Sequence, residues 1–308
     1  MRSRTLAGID IGTNTFRLLI AKVDDKGLNE LYSARVITRL GEGVSLTGLL
    51  KEEAIERGLN ALKEFRNIIA AHKVEAVAAV ATSAFRVAKN SGDFIKRAKD
   101  ETGIDPKIIS EEEEEWKTFR GMKTGIKVPE SSLMVDIGGG STEFILSKNG
   151  EATLMRSLKL GVVYLADMYM KSDPPADDEK MLMRHAVLQS LSSLEPQFSE
   201  AKALIGTAGT ITTISAMAKG LTIFERSKIH NTRISLEPVR EIYTAISGSA
   251  RKERAELYPV LDSSRLDIIV PGAMILLEIM IKFGFKEITV SDNGLMEGIL
   301  LDLYDKIT

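Results

Sequence analysis

No cysteine occurs among the 308 residues of this chain. That absence excludes disulfides, thiolate nucleophiles and cysteine-ligated zinc. Histidine is nearly as scarce: His72, His185 and His230 are the only three, and none stands beside an aspartate. A histidine–aspartate metal phosphohydrolase centre is therefore excluded. Neither a Gly-x-x-x-x-Gly-Lys-Ser/Thr loop nor a His-Glu-x-x-His pair is present. No apolar run approaches the ~18 residues of a membrane helix, and the short apolar stretch after Met1-Arg2-Ser3-Arg4 is too brief for the core of a signal peptide. A cytoplasmic protein without a membrane partner is expected. Charge of one sign is also lacking, with 41 basic against 43 acidic residues. No global basic field argues for nucleic acid, so a polyanionic ligand has to be met by local arginines.

What is present is a duplication. Gly8-Ile9-Asp10-Ile11-Gly12-Thr13-Asn14-Thr15, followed by the apolar run Phe16 to Ile20, recurs as Met134-Val135-Asp136-Ile137-Gly138-Gly139-Gly140-Ser141-Thr142-Glu143 with Phe144-Ile145-Leu146 behind it. Asp136 and Ser141 each lie 126 positions beyond Asp10 and Thr15. Each copy reads as a strand ending in Asp, a tight glycine turn and a second strand. An aspartate closing a buried apolar strand is costly unless paired or metal-bound. Loops almost free of side chains let backbone N–H groups approach an anion. Two such hairpins suit a polyphosphate group with a divalent metal, although a single glycine turn is as readily a plain hairpin.

Periodicity places strands at 5–10, 16–23 and 31–38, an amphipathic helix at 51–71, a strand at 74–81, a helix at 91–102, a short strand at 107–109 and an acidic helix at 111–124. The second half restarts with strands at 131–137, 142–147 and 151–158, helices at 160–170 and 176–194, and a strand at 202–206 leading into a helix from 209. Residues 221–235 look irregular. Helices at 236–249 and 263–283, a strand at 287–291 and a helix at 294–304 complete the chain. Both halves are α/β, and 308 residues accommodate two domains. The expected domains are 1–125 with about 296–308, and 126–295, with a hinge at Lys123 to Ser132 where Gly125 and Pro129 interrupt the helical pattern.

Two more strand ends carry polar loops. Gly206-Thr207-Ala208-Gly209-Thr210 opens a helix, a natural phosphate position, and equally an ordinary threonine-capped turn. Ala81 to Arg86 ends in an arginine suited to clamping phosphate oxygens, or simply exposed on a loop. The glutamates from Glu111 to Glu115 favour a helix N-terminus, and most of them are expected in solvent. Arg226, Lys228, Arg233, Arg251, Lys252 and Arg254 form either a solvated basic surface or a track for a long polymer.

These motifs occur in the order of a known family. Asp10 to Arg17, Ala81 to Arg86, Ile109-Ser110 with its glutamates, Asp136 to Glu143, Gly206 to Thr210 and Ser291-Asp292-Asn293-Gly294-Leu295-Met296-Glu297-Gly298 together resemble the exopolyphosphatase and guanosine pentaphosphate phosphatase (Ppx/GppA) family in a short, two-domain form. The resemblance implies two ribonuclease H-like α/β domains, the unit of actin, sugar kinases and the Hsp70 chaperones, with an inter-domain cleft. It implies Glu114 as general base, with Glu113 as runner-up, and Asp136 and Glu143 as catalytic acids. Asp10, Asp136 and Glu143 become the metal ligands, with Mg²⁺ the cofactor and K⁺ a candidate stimulant. Gly12, Thr13, Asn14, Thr15, Gly138, Gly139, Gly140, Ser141, Thr142, Gly209 and Thr210 match the phosphate loops, and Arg17, Arg86 and Arg265 the cleft arginines. The implied reaction is release of a terminal phosphate from inorganic polyphosphate or pppGpp, in a candidate homodimer. Three positions depart from the family: Glu111 replaces Gly, Glu115 replaces Ala, and Met296 replaces Arg. Those departures keep a non-catalytic sensor of alarmones or polyphosphate open, beside a small-molecule kinase of the same superfamily.

Overall fold

A computed structural model describes residues 3–308, which divide into two compact units, one running to Thr124 and including Gly294–Thr308, the other Gly125–Asn293. The first unit opens with β1 (Arg4–Ile11), β2 (Thr15–Asp24) and β3 (Gly27–Ile37), then the single turn α1 (Val44–Thr47) and the long α2 (Glu52–Ala71). It continues through β4 (Ala76–Ala81), α3 (Ser83–Val87), α4 (Ser91–Thr102), β5 (Lys107–Ile108) and α5 (Glu111–Met122). Its sheet runs β3-β2-β1-β4-β5, antiparallel across β3, β2 and β1, then parallel to β4 and β5.

The two-residue period of β1 sends Ala7, Ile9 and Ile11 to one face, where Leu59, Leu62, Phe65 and Phe94 of α2 and α4 cover them. Leu6 packs on the other face with Leu295, Ile299 and Leu300. Asp10 shares the face of Leu6 and Gly8, at the end of the strand. Burial on both sides explains why β1 reads as an unbroken apolar run until that aspartate.

The second unit repeats the plan. It holds β6 (Ser131–Ile137), β7 (Thr142–Lys148), β8 (Glu151–Leu158), α6 (Val162–Tyr169), α7 (Asp177–Ser192), β9 (Ala203–Thr207) and α8 (Ala208–Ala218). After these come α9 (Arg226–Ile229), β10 (Thr232–Ser235), α10 (Leu236–Ser247), α11 (Arg251–Leu257), α12 (Ile269–Lys282) and β11 (Glu287–Val290). The chain then returns to the first unit with α13 (Leu295–Ile307). Taken from β8, the sheet order is β8-β7-β6-β9-β11-β10. The first five strands reproduce the ribonuclease H-like order of the first unit, and β10 is an added antiparallel edge.

Several regions depart from the sequence reading, the helix α11 and the single turn α1 among them, neither of which it placed. Residues 221–235, expected to be irregular, contain α9 and β10. β10 has only four residues, Thr-Arg-Ile-Ser, too few to show a period, and its backbone is ordered by pairing with β11. The helix expected at 263–283 starts at Ile269, because Asp262 caps a separate 3₁₀ turn over Ser263–Arg265. Arg86 lies not on an open loop but on the short α3.

In the first unit α5 and α13 touch through backbone. A Cβ on Gly298 would stand 1.8 Å from the Lys117 carbonyl oxygen, and one on Gly121 would stand 1.7 Å from that of Gly294. Lys117 also reaches Asp302 at 2.6 Å, tying the two helices together. Met296, the residue replacing the family's arginine, is buried in the apolar layer of Leu6, Leu19 and Ile299. Methionine fills that gap without a charge to satisfy.

Candidate active site

The two Asp-Gly hairpins have the same turn. The Gly12 N–H donates to the Thr15 carbonyl at 3.2 Å, and the Gly138 N–H to the Ser141 carbonyl at 3.0 Å. In each case the carbonyls of the turn are tied away by neighbouring backbone. Gly41 donates to Thr13, and Thr38 and Arg39 donate to Asn14. In the second hairpin Val162 donates to Gly138 and Val163 to Gly139, both from the first turn of α6. Among the described residues, the N–H groups of Thr13, Asn14, Gly139 and Gly140 have no backbone acceptor. Peptides whose oxygens are fixed and whose N–H groups are free form a nest for an anion. Gly161, which the sequence reading passed over, permits this packing: a Cβ there would lie 2.3 Å from the Gly139 carbonyl oxygen. Its one sequence signal is its place directly before the apolar start of α6.

The register of each hairpin sets what stands opposite its aspartate. Asp10 pairs across the strands with Arg17, and the Arg17 Nε lies 3.2 Å from Asp10 Oδ2. Asp10 Oδ1 is buried with no hydrogen-bond partner. Burial pushes the Asp10 carboxyl up from the ordinary aspartate value, and Arg17 pulls it back only in part. In the second hairpin the equivalent position to Arg17 is Glu143, which faces Asp136. Directly opposed residues share a face with Cβ atoms about 5 Å apart, so two acids adjoin where the first hairpin has an acid and a base. Ser157, from β8, donates its hydroxyl to Glu143 Oε1 at 3.1 Å.

The donor set suits a divalent cation. Carboxylate oxygens are the ligands Mg²⁺ takes, and it commonly binds through one or two of them while keeping several waters. In the first unit a buried orphan oxygen on Asp10, and in the second an acid pair on β6 and β7, each offer carboxylate oxygens of the kind such an ion takes. No group of three or more His, Asp or Glu side chains is gathered as a complete cage among the described residues, so water and substrate oxygens would complete the shell.

At the head of α5, Ser110 accepts from the Glu113 N–H while Glu113 accepts from the Ser110 N–H, a reciprocal cap. That cap occupies Glu113, while Glu111 and Glu112 are exposed. Glu114 turns inward and is 9% exposed. The Arg86 Nη1 donates to it at 2.6 Å and to the Ile109 carbonyl at 3.2 Å, and Arg86 Nη2 is buried without a partner. Glu115 is buried too, on the next position of the same inward face.

The third loop sits at the start of α8. Ala208 has φ of +73°, a left-handed backbone that alanine adopts at a cost. Thr207 Oγ1 donates to the Asn293 carbonyl at 2.9 Å. A Cβ on Gly209 would fall 2.3 Å from Arg265 Nη2, so only glycine lets the guanidinium rest on the first turn of α8. A cation at the positive end of a helix is unfavourable by itself. An anion between them would interact favourably with both. Thr210 packs beside Gly272 of α12, where a Cβ would meet its methyl at 2.5 Å.

The first unit thus groups Asp10 with Arg17 and Glu114 with Arg86. The second groups Asp136 with Glu143, and Gly209 with Arg265. Of the basic residues read as either a solvated surface or a track, most are engaged with acids, and Lys252 is exposed. Arg226, Lys228, Arg233 and Arg251 pair with Asp292, Glu225, Glu287 and Asp173. Arg254 is wholly buried. Lysine and arginine spacing in sequence carries no sign of which acid each will meet in three dimensions.

Comparison with known proteins agrees over nearly the whole chain. Residues 19–307 match the sequence model of the Ppx/GppA phosphatase family. Exopolyphosphatase 2 of Mycobacterium tuberculosis is 34% identical over 317 aligned residues, covering 97% of this chain and 98% of that protein. A bifunctional 3-dehydroquinate synthase/phosphatase of Fusobacterium nucleatum is 33% identical across 96% of this chain, which spans only 46% of that longer protein. The crystal structure of an exopolyphosphatase from Cytophaga hutchinsonii superposes with a TM-score of 0.90 at 32% identity, covering 99% of both chains. Among the described residues no helix is long and apolar enough to cross a membrane.

Proposed function

Because the chain belongs to the Ppx/GppA phosphatase family, we propose that it is a phosphohydrolase releasing the terminal phosphate of inorganic polyphosphate, with pppGpp as a second substrate. The observation that carries this reading is the repeated turn: two Asp-tipped hairpins with matching hydrogen bonds, each presenting free N–H groups. Such loops read a terminal anhydride phosphate and little of the chain or nucleoside attached to it.

Hydrolysis of that group passes through a loose, in-line transition state with charge on the three peripheral oxygens. The residues therefore have to position phosphate, neutralise charge and orient one water. The N–H groups of Thr13, Asn14, Gly139 and Gly140 hold phosphate oxygens, with Thr15, Ser141 and Thr142 closing the turns. Arg17, Arg86 and Arg265 neutralise the chain. Asp10 in the first unit, and Asp136 with Glu143 in the second, offer the carboxylates that would hold Mg²⁺, which when bound supplies electrophilic polarisation of phosphoryl oxygens. Glu114 takes a proton from the attacking water as the water oxygen bonds to phosphorus and the anhydride oxygen departs. General-base action of this kind is worth ~10² to 10⁴ in rate.

The test is orthophosphate release from long-chain polyphosphate and from pppGpp, side by side, with and without Mg²⁺ and K⁺. Wild type is expected to release orthophosphate, and Glu114→Gln to bind polyphosphate with near-normal affinity while losing at least a hundredfold in kcat. Full turnover in that variant removes Glu114 from the role. Absence of turnover by wild type on both substrates, with tight binding retained, replaces the enzyme by a sensor.

A further inference from the structure

Arg254 lies outside the glycine loops and the acidic helix, yet among the described residues it is the largest fully buried side chain. Lysine and arginine are almost never fully buried unless paired. Its surroundings show what it does. Nε donates to the Ile246 carbonyl at 2.7 Å, one of the carbonyls left open at the end of α10. Nη1 donates to the Leu266 carbonyl at 2.7 Å. Nη2 lies 3.0 Å from Asp173 Oδ1, and the other oxygen of Asp173 accepts from the Arg251 N–H at 2.9 Å. Four segments of the second unit therefore meet on one guanidinium: α10, α11, the loop before α7 and the turn before α12. Burial drags the arginine's proton affinity below the ordinary value, and Asp173 opposes that.

Leu266 is the residue directly after Arg265. Within the turn that carries Arg265, the Arg265 N–H donates to the Asp262 carbonyl and the Ser264 N–H to the Asp262 side chain. Arg254 supplies this turn's hydrogen-bonded link to α10 and Asp173. The guanidinium of Arg265 in turn lies against Gly209 with no room for a methyl group between them. A turn free to tilt would lift that group off α8.

We infer that Arg254 is a positioning residue: it fixes the backbone of the Ser263–Leu266 turn so that Arg265 stays over the Gly209 N-terminus of α8 as part of the phosphate site. The inference rests on the phosphohydrolase reading for the role of Arg265, and on the buried contacts alone for the role of Arg254. Arginine is required because two N–H groups of one plane donate to separate carbonyls while its third nitrogen pairs with the Asp173 carboxylate, an arrangement that a lysine ammonium on its flexible stem does not reproduce.

The experiment compares wild type, Arg254→Lys, Asp173→Asn, Arg265→Gln and Arg254→Lys/Arg265→Gln by steady-state kinetics on polyphosphate and by calorimetric titration with tripolyphosphate. Arg254→Lys keeps the charge and is chosen because Arg254→Met is expected to fold poorly. The expected result is a KM and a tripolyphosphate Kd raised about tenfold in Arg254→Lys, a smaller rise in Asp173→Asn, and kcat changed by less than threefold. In the Arg265→Gln background Arg254→Lys should add nothing to KM. A variant that merely loses stability lowers the active fraction, and so kcat, at unchanged KM in both backgrounds; that result overturns the inference. Should wild type bind tripolyphosphate without turnover, the phosphohydrolase reading fails, and the inference is decided by Kd: equal affinity of wild type and Arg254→Lys overturns it.

Discussion

Replacing Gly298 by alanine should both destabilise the first unit and slow turnover, and the size of each effect comes from one contact. The new Cβ would stand 1.8 Å from the Lys117 carbonyl oxygen, against an ordinary contact of at least 3.4 Å. Neither group is the end of a flexible side chain, so α13 and α5 have to part by roughly the 1.6 Å difference between those distances. Alanine in a helix interior is favoured over glycine by about 1 kcal/mol. Overpacking a close contact costs about 1–3 kcal/mol and more where backbone is displaced. The balance is a net loss of about 2 kcal/mol in chemical denaturation. Lys117 sits three positions after Glu114 on the same helix, so the proposed base moves with the displaced turn. A misplacement near 1 Å costs about 10²-fold where a reacting group has to be aligned. The expected signature is a kcat lowered by about two orders of magnitude with KM for polyphosphate within about threefold. Gly298→Ala with wild-type stability and kcat would refute the claim that direct backbone contact between α5 and α13 places Glu114.

Three further outcomes are expected. Arg86→Met strands the buried Glu114 carboxylate and should cost about 3 kcal/mol in urea unfolding, a loss largely absent when Glu114→Gln is already present; equal costs in both backgrounds would contradict the pairing seen at 2.6 Å. Ala208→Gly relieves a left-handed backbone and should raise stability by about 1 kcal/mol, read as an increase in Tm. Burial alone would raise the Asp302 carboxyl, but hydrogen bonds from Lys117 and Lys306 outweigh it and hold the group below its ordinary 3.8. A depressed carboxyl stabilises the fold above its unfolded value and loses that contribution as pH falls through the folded value. Asp302→Asn should therefore be less stable than wild type by about 1 kcal/mol at pH 7, with the difference shrinking below pH 3.8. A difference unchanged across that range would assign the effect to packing.

The sequence determined by itself whatever depends on neighbours along the chain. Strand ends at Asp10 and Asp136, the glycine turns behind them and the amphipathic α2 are local patterns, and their period of two or 3.6 is visible without coordinates. The doubled motif also announced two related units. Tertiary structure alone decided which side chain meets which across long separations. The opposition of Asp10 by Arg17 and of Asp136 by Glu143 is set by hairpin register. The seat of Arg86 on Glu114 joins residues 28 apart. Five consecutive glutamates look alike in sequence, yet the reciprocal cap engages the third and burial takes the fourth and fifth. Arg254 makes the same point from the opposite direction: beside Lys252 and Arg251 it reads as surface charge, and only the convergence of Ile246, Leu266 and Asp173 draws it inside. Charge placement of this kind is set by the summed geometry of distant segments, because a desolvated charge is tolerated only where partners arrive from elsewhere in the fold.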